Sequence, residues 1–503
     1  MTTHGVVFDL AAAARAEMVR EGFNLLPLDG EEVEAGEREV EEIRGSFEPM
    51  SQKRDMGHPE ARDLRGLSWS SIDNDTSRDL DQVEWAERTQ AGIRVLVGIA
   101  DVAAAVGKDT VLDRAAALQT QTVYTAVHNF PMLPNELSTD LTSLNEGQDR
   151  RAIVCEFTVT GDGGLVGTAL YEAWVRNGAQ LAYSTVGPWL EGKARGDGRT
   201  DPKILNDAAI QAQLRLQDEA AQLLHRQRVA QGALEFNRVE ADPVVIDGKV
   251  QSIKAVMRNR ASDLIADLMI ASNETMARML RESGRSSIRR VVRSPERWSR
   301  IVALVAAKGT ALPESPDARA LNKFLVAQQA SDPVHYPDLS LAIIKLMGPG
   351  EYVLAAGGSE EQPGHFGLAA LDYTHSTAPN RRFADLVTQR IVKALLRGEG
   401  APYSDEELAG IAAHCNERDA AARKVERAMQ KRVAAVALGH LIGHQFTGVI
   451  TGAKDKGTYI RIFDPPVEGK IVRGFEGLDV GDTATVTLSE ADPVHAFIDF
   501  TRP

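Results

Sequence analysis

A short acidic segment holds the residues whose types and spacing are best suited to chemistry. Asp73, Asp75, Asp79 and Asp81 lie close together, and Gln82 follows directly. In an extended chain Asp79 and Asp81 point to the same side, and the turn-forming residues between can bring Asp73 back to them. Carboxylates held together repel one another unless a cation neutralises them, and Mg²⁺ accepts carboxylate, water and phosphate oxygens. The segment therefore predicts a magnesium site able to support phosphodiester hydrolysis.

Two other interpretations of this segment stay open on sequence alone. It can be a solvated acidic turn without a metal. It can also be a calcium loop, because six residues match the ligand positions of an EF-hand: Asp73, Asp75, Ser77, Asp79, Asp81 and Glu84. Against the calcium loop, Arg78 stands where the sharp turn needs glycine, and the flanking residues are not typical of two helices.

A second segment, residues 365–385, is suited to holding a phosphate. Three residues indicate the start of a helix there, namely Ser376 or Thr377 as cap and Pro379 in the first turn. Free backbone N–H groups at such a start attract anions, and Arg381 and Arg382 add guanidinium groups that can grip a phosphate in a bidentate manner. The alternative is an ordinary basic first turn paired with Asp385.

The chain around these segments divides into three expected domains. Residues 1–66 predict a small acidic helical domain, with helices near 8–22 and 29–44, a linker over 45–66 and a helix-turn-helix arrangement as one option. Residues 67–443 mix strands such as 93–101 with helices such as 263–282 and 380–397, which favours an α+β domain. Residues 444–503 contain five short strand patterns typical of a small OB-type barrel.

The net charge of −14 argues at first against a nucleic-acid partner. However, residues 1–60 hold 14 Asp/Glu against 6 Lys/Arg, whereas residues 254–308 hold 12 Lys/Arg against 5 Asp/Glu. An acidic exterior with a basic interior channel is compatible with RNA, and it limits non-specific phosphate binding. We therefore keep RNA as a candidate partner.

Bulk features also bear on the compartment. The two cysteines form neither a zinc set nor a disulfide framework, which suits a reducing cytoplasm. No apolar stretch is long enough for a membrane span, and the N-terminus lacks the basic region of a signal peptide. We expect a cytoplasmic monomer without a membrane partner.

The two segments together resemble the ribonuclease II (RNB) family. The acidic segment is similar to its D-x5-D-x-D-D motif, residues 365–385 to its H-x-GL…TSPIRRYxD motif, and residues 130–138 (FPMLPNELS) to its IPMLPxxLS motif. Order and spacing agree over residues 67–503. The resemblance implies a central RNB catalytic domain of mixed sheet and helices, followed by an S1-type OB domain that binds RNA.

The resemblance also implies roles for individual residues. Asp73, Asp79 and Asp81 are expected to bind the metal, and Arg381 to contact the scissile phosphate. Glu426 is expected to assist the reaction. Tyr124 is expected at the end of the RNA channel, and Tyr183 and Phe236 are expected to clamp the terminal bases. By themselves the aromatic residues could equally be core residues. Glu426 alone could be a helix-surface charge paired with Arg423 or Lys424.

The chain departs from the family pattern at three places, one of which is Ala378-Pro379-Asn380, where the family has Ser-Pro-Ile and where local packing is expected to differ. Gln82 replaces the fourth aspartate, which removes one charge from the metal site and makes Asp75 a candidate replacement; Gln82 itself can still offer an oxygen. The usual pair of N-terminal cold-shock domains cannot fit before residue 67, so the channel entrance is expected to be wider and structured RNA more accessible.

One strand of the expected barrel faces RNA. Tyr459, Arg461 and Phe463 share one side of that strand and form a row suited to stacking on bases, although some can pack in the barrel instead. Altogether the sequence predicts a 3′-to-5′ exoribonuclease that degrades single-stranded RNA to nucleoside 5′-monophosphates with Mg²⁺ or Mn²⁺. The alternative is a catalytically impaired RNA-binding protein on the same fold.

Overall fold

The computed structural model describes residues 8–25, 30–47, 61–193, 201–237, 239–246, 249–333, 335–359, 364–454 and 457–502. Its α-helices are α1 (Leu10–Arg20), α2 (Gly30–Phe47), α3 (Val111–Gln119), α4 (Tyr183–Leu190), α5 (Pro202–Asn206), α6 (Ala208–Gln231), α7 (Arg260–Glu282), α8 (Trp298–Ala306), α9 (Ala318–Ser331), α10 (Tyr336–Met347), α11 (Phe383–Leu396) and α12 (Asp405–Leu438).

A curled sheet of six strands forms the first half of the central region. The strands are β1 (Arg62–Asp63), β2 (Trp69–Asp73), β3 (Gln82–Thr89), β4 (Gly92–Ala100), β7 (Asp149–Val159) and β8 (Leu165–Ala182). Their order is β1-β8-β2-β3-β4-β7, and the long strand β8 also pairs with β7. Because β8 runs parallel to β2 at one end and antiparallel to β7 at the other, the sheet curls around and brings the end of β2 beside the start of α4.

Smaller strand pairs complete the central region. The hairpin β5 (Val123–Tyr124) and β6 (Asn129–Phe130) follows α3, the hairpin β9 (Val239–Ile246) and β10 (Lys249–Met257) precedes α7, and β11 (Ser287–Val291) pairs with β12 (Glu351–Ala355). Single-turn helices lie at Val102–Ala104, Phe366–Leu368 and Gly439–Leu441, and a π-helix lies at Leu137–Leu141.

Local sequence explains the long helices that pack on this sheet. Asn259 and Ser262 form a capping box at the start of α7, and Ser404 and Glu407 form another at the start of α12. Apolar residues at helical spacing on α7 and α11, including Leu268, enter the same buried cluster as strands β3, β4 and β7. The main core therefore lies between the sheet and these helices.

The C-terminal region is a closed five-stranded barrel. Its strands are β13 (Gln445–Lys454), β14 (Gly457–Ile462), β15 (Glu468–Arg473), β16 (Thr483–Asp492) and β17 (Phe497–Thr501), in the order β13-β14-β15-β17-β16. The five strand patterns of the sequence correspond to these strands. The barrel has its own apolar core, which continues onto the end of α12 through Ala434 and Leu438. The expected α+β fold with a C-terminal OB-type barrel is confirmed.

The N-terminal helices pack onto different parts of the central region. Leu10, Ala14 and Met18 of α1 belong to a cluster with α12, whereas Val40 and Ile43 of α2 belong to the main core. The expected linker lies mostly outside the described residues, and the domain boundaries at 66 and 443 stay predictions. No helix within the described ranges is both long enough and apolar enough to cross a membrane.

Candidate active site

The acidic segment connects the end of β2 to the start of β3. Asp73 is the last residue of β2, and its Oδ1 accepts hydrogen bonds from the Asn74 backbone at 2.7 Å and the Ser77 hydroxyl at 2.9 Å. These contacts form the turn that brings Asp79 and Asp81 back toward Asp73. The flanking elements are strands, so the calcium-loop interpretation, which needs two helices, is wrong.

Asp81 is the most buried of the four aspartates of the segment, with 1% of its surface exposed. Its Oδ1 accepts the backbone N–H of Asn380 at 3.1 Å, and its Oδ2 lies 3.1 Å from Arg381 Nε without hydrogen-bond geometry. Burial raises the pKa of Asp81 to about 7, against the lowering effect of Arg381 and with a further increase from the charge of Asp79. The interpretation as a solvated turn therefore does not fit Asp81.

Arg381 lies on a turn just before α11, at the point where Asp81 arrives. Its Nε is sealed from solvent although 43% of the side chain is exposed. Desolvation lowers the pKa of Arg381, but Asp81, Tyr124, Asp73 and Asp79 raise it by more, so the net shift is upward. One guanidinium thus interacts with all three predicted metal-binding carboxylates.

The helix begins later than the sequence suggests. Its first residue is Phe383, and its N-cap, Arg382, makes no side-chain capping bond. Ser376, one of the expected caps, instead donates its backbone N–H and its hydroxyl to Asn273 on α7, at 2.9 and 2.7 Å. The expected helix start at residues 376–379 is wrong, because contacts with α7 hold this segment as a turn.

Arg382 is engaged inside the protein. Its Nε and Nη2 donate to the two carboxylate oxygens of Asp385 at 2.8 and 2.7 Å, and Asp385 also accepts the Ala378 backbone N–H at 2.8 Å. This is the alternative that the sequence left open, an arginine paired with Asp385. The bidentate pair fixes the turn that carries Arg381, and RNA contact by Arg382 stays a prediction.

Tyr124 and Glu426 join the site from the β5–β6 hairpin and α12. The Tyr124 hydroxyl donates to Asp79 Oδ2 at 2.7 Å, and the Tyr124 backbone N–H lies near the Glu426 carboxylate. Burial raises the pKa of Glu426, while this N–H lowers it. Glu426 is not the surface charge of the alternative interpretation, since Arg423 pairs with Asp419 and Lys424 with Glu21.

The remaining polar residues of the acidic segment divide between surface and interior. Asp75 is exposed and accepts the Ser184 hydroxyl at 2.6 Å, whereas Gln82 is buried at the start of β3. Glu84, considered in the sequence only as a calcium ligand, is fully buried, and neither carboxylate oxygen has a hydrogen-bond partner in the described structure. Burial and then the charge of Asp73 raise the pKa of Glu84 well above its usual value.

The two aromatic residues predicted to clamp bases have different surroundings. Tyr183 begins α4 directly after Ala182, which pairs with Asp73 across β8 and β2. Burial and the charges of Asp73 and Glu84 raise its pKa, which places Tyr183 beside the carboxylates. Phe236 is partly buried against the apolar cluster of α8, α9 and α10. Base clamping stays a prediction for both.

The outward row on the barrel is formed as the alternation predicts. Thr458, Ile460 and Ile462 are buried, Tyr459 and Arg461 are partly buried, and Phe463 is 39% exposed. Arg461, however, forms an ion pair with Asp338 on α10, and both side chains are largely buried. Arg461 thus ties the barrel to the central region, and RNA binding by this row stays a prediction.

Sequence reasoning missed the residues that support the arginine turn. Asn380 is fully buried and accepts the Thr142 hydroxyl at 2.6 Å, and the Tyr352 hydroxyl lies 2.8 Å from His375 Nδ1. Burial lowers the pKa of His375, so the ring is neutral. The closely spaced histidines of residues 365–375 were a visible signal, but their partners are distant in sequence.

The residues present fit a divalent cation in charge and chemistry. In the described residues no three His, Cys, Asp or Glu side chains already converge to hold a metal. However, Asp81 Oδ2 is buried without a hydrogen bond, and Asp79 repels its charge. A cation beside Asp73, Asp79 and Asp81 would relieve both costs.

The fold and the site define a class: an α+β domain with a carboxylate–guanidinium site, followed by an OB-type barrel. Comparison with protein families identifies it further. The model of the RNB domain matches residues 61–398, and that of the RNase II-type exonuclease C-terminal S1 domain matches residues 444–502. The chain belongs to the RNB family, and the resemblance seen in the sequence is confirmed.

Individual relatives agree with this assignment. Ribonuclease R of Escherichia coli is 29% identical over 426 residues, which cover 81% of this chain and 51% of the relative. Ribonuclease R of Mycoplasma genitalium is 27% identical over 425 residues, covering 82% and 56%. The chain thus spans about half the length of the curated relatives it matches.

Solved structures show the same fold. The apo form of Mycoplasma genitalium RNase R has a TM-score of 0.84 at 23% identity, covering 98% of this chain and 78% of that one. The same enzyme in complex with double-stranded RNA has a TM-score of 0.81 at 24% identity, covering 98% and 83%. Yeast Ssd1, a pseudonuclease, has a TM-score of 0.69 at 14% identity, covering 93% and 56%.

Proposed function

We propose that this chain is a hydrolytic exoribonuclease that shortens single-stranded RNA from its 3′ end and releases nucleoside 5′-monophosphates. The observation that carries the proposal is the meeting of Asp81 and Arg381, 3.1 Å apart, with Asp73 and Asp79 within electrostatic reach. Family membership supports the same activity. RNA complexes of the Mycoplasma relative make RNA the substrate class to test.

Each protein group has a physical role in this mechanism. Asp73, Asp79 and Asp81 would hold Mg²⁺ or Mn²⁺, which supplies Lewis-acid activation of water and charge neutralisation at the phosphate when bound. Arg381 binds the scissile phosphate and stabilises the negative charge that develops on it, which its fork of N–H donors suits. Glu426, near the Tyr124 backbone, assists the reaction, and the Tyr124 hydroxyl orients Asp79 at the end of the channel.

RNA is held by contacts that do not depend on sequence. Tyr183 beside Asp73, with Phe236, stacks on terminal bases, and any base can satisfy such stacking. The basic stretch 254–308 attracts the backbone further along, and Tyr459 and Phe463 of the outward row of β14 stack on bases. We expect this chain to admit structured RNA, and the complex of the Mycoplasma relative with double-stranded RNA makes such RNA a substrate to test.

The decisive experiment follows RNA labelled at its 5′ end. Oligo(A) with Mg²⁺ should give a descending ladder or a short limit product, and EDTA should abolish it. Asp81→Asn should keep RNA binding in a gel shift and lose cleavage. Cleavage by Asp81→Asn at the wild-type rate would remove Asp81 from the mechanism, and intact RNA with the wild-type chain would overturn the enzyme assignment.

A second assay addresses structured RNA. A hairpin with a 3′ overhang should be shortened up to or into its stem. A stall many nucleotides before the stem would contradict the expectation of a wide entrance.

One observation favours a second candidate, a catalytically impaired RNA-binding protein. Gln82 stands where the family has its fourth aspartate, and it is buried at the start of β3. A gel shift without cleavage would support this candidate. Gln82→Asp would then restore a ladder if the missing charge is the cause.

The proposal also includes a monomeric protein of the cytoplasm. The free thiols of Cys155 and Cys415 are buried, and burial raises the pKa of both to about 12, which suits a reducing compartment. Light scattering at assay concentration tests the monomer.

A further inference from the structure

Helix α1 packs on α12 and shares one apolar cluster with α12 and the β5–β6 hairpin. The helix contributes Leu10, Ala14 and Met18, and Phe23 follows directly. The other members come from the hairpin and from α12; they are Val123, Phe130, Ala421, Ala422, Val425, Met429 and Val433. Met18 is 1% exposed. Without α1 the face of α12 that contributes to this cluster would be open to water.

In the hairpin, successive side chains point alternately toward the apolar cluster and toward the active site. Val123 is fully buried in the cluster, whereas the next residue, Tyr124, points to the other side and donates to Asp79. On α12, Val425 enters the same cluster, and the next residue, Glu426, lies near the Tyr124 backbone N–H. The cluster residues Val123 and Val425 are therefore direct sequence neighbours of Tyr124 and Glu426, which enter the site.

Polar contacts join the C-terminal end of α1 to α12. Glu17, 3% exposed, pairs with Arg432 at 2.6 Å, and Glu21 pairs with Lys424 at 3.1 Å. At the end of the helix, Arg418 donates to the Gly22 carbonyl at 2.7 Å. These contacts set the position of α1 on α12 as well as its attachment.

The chain entering the hairpin is bonded to the arginine turn. The Thr122 N–H donates to the Arg381 carbonyl at 3.0 Å, and the Phe383 N–H donates to the Thr120 carbonyl at 2.8 Å. A shift of the hairpin would thus move the backbone of Arg381 together with Tyr124.

We propose that α1 is a positioning element of the active site: by packing on α12 it clamps the apolar cluster that also holds the β5–β6 hairpin, and thereby fixes Tyr124 and Glu426 relative to Arg381. The inference deepens the proposed nuclease function and rests on it. Because the residues expected to hold RNA along its length lie on other elements, loosening α1 lowers turnover rather than RNA affinity.

The test compares two neighbouring residues of α1. Met18→Ala removes buried atoms, whereas Val19→Ala changes a residue that is 59% exposed. Met18→Ala should lower kcat on labelled RNA by about tenfold or more with little change in KM, because small displacements of reacting groups have large effects on rate. Val19→Ala should match the wild type, and Met18→Leu, which nearly conserves volume, should restore kcat.

Hydrogen exchange tests the clamp without relying on activity. Met18→Ala should speed exchange at residues 122–132 and 421–433 but not in β4. If Met18→Ala fails to fold, Glu17→Gln, which weakens the pair with Arg432, takes its place with the same expectations.

Three results would overturn the inference: equal kcat for Met18→Ala and Val19→Ala, a raised KM at unchanged kcat, or unchanged exchange in the hairpin. If the wild-type chain leaves RNA intact, the proposed function fails, and the exchange measurement still decides whether α1 holds the hairpin.

Discussion

Replacing Asp81 by asparagine should stabilise the metal-free protein at neutral pH while abolishing cleavage. The native pKa of Asp81 is about 7, whereas its usual value is 3.8. A carboxyl with a raised native pKa keeps its proton in the folded state where the unfolded chain has lost it. Its contribution to stability is therefore full below pH 3.8 and is lost as the pH rises to 7.

The size of the effect follows from this pKa shift. Above pH 5 the loss continues only up to the native pKa of about 7, a span of about two pH units, which corresponds to roughly 3 kcal/mol of unfolding free energy. Asp81→Asn has no charge to lose, so its stability relative to the wild type should increase by that amount between the two pH values. Comparing the change with pH cancels any constant effect of the amide.

Urea unfolding in EDTA at pH 5 and pH 8 measures this difference. Asp75→Asn is the matched control, because Asp75 is exposed in the same segment. Adding Mg²⁺ should stabilise the wild type more than Asp81→Asn, by about 2.7 kcal/mol at one hundred times the dissociation constant. A difference between Asp81→Asn and wild type that changes by less than about 0.5 kcal/mol between the two pH values would refute the reasoning from burial.

Four further changes test other parts of the structure. Arg381→Lys keeps the charge but loses the planar fork, so cleavage should fall about a hundredfold with an unchanged circular dichroism spectrum; wild-type cleavage would contradict the role of the guanidinium. Tyr124→Phe removes the hydroxyl bond to Asp79 and should lower stability by about 1 kcal/mol in urea unfolding. Burial lowers the native pKa of His365 to about 4, so the folded state keeps the ring neutral at pH values where the unfolded chain takes up a proton. The free energy of unfolding therefore falls as the pH drops below 6.5, and His365→Gln should reduce that fall between pH 6.5 and pH 5 by about 2 kcal/mol. Asp338→Asn leaves the buried guanidinium of β14 unpaired and should destabilise the protein by about 3 kcal/mol, and an unchanged urea midpoint would show that the pair does not hold the barrel.

The parts of the structure that could be predicted from sequence depend on local patterns. The barrel strands follow from alternation, as in residues 457–462, where every second side chain is buried. The turn that returns Asp79 and Asp81 to Asp73 follows from short polar residues that bond to the nearby backbone, such as Ser77. In both cases the decisive contacts lie within a few residues, so the sequence contains the information directly.

The parts that could not be predicted depend on contacts between distant residues. Ser376 was a plausible helix cap by residue type, but Asn273, about a hundred residues earlier, accepts its hydrogen bonds instead. Arg461 was correctly placed on the outer side of its strand, yet its partner is Asp338 on α10. The local sequence does not indicate which charged residue of another element will lie beside Arg461. That one partner decides whether the arginine lies on the surface or in an interface between two parts of the protein.

The electrostatics of the acidic segment connect stability with function. Asp81 is held in a buried position where one oxygen has an N–H donor and the other has only the poorly aligned Arg381. A protein selected for stability alone would place an apolar or amide residue there. The cost is understandable if a cation and a phosphate complete the site, because the cation neutralises Asp81 and the phosphate gives Arg381 a second anionic partner. On this argument the strain of the metal-free site is a measure of the binding energy available to the metal, and Asp81→Asn should remove the strain and the metal affinity together while RNA binding remains.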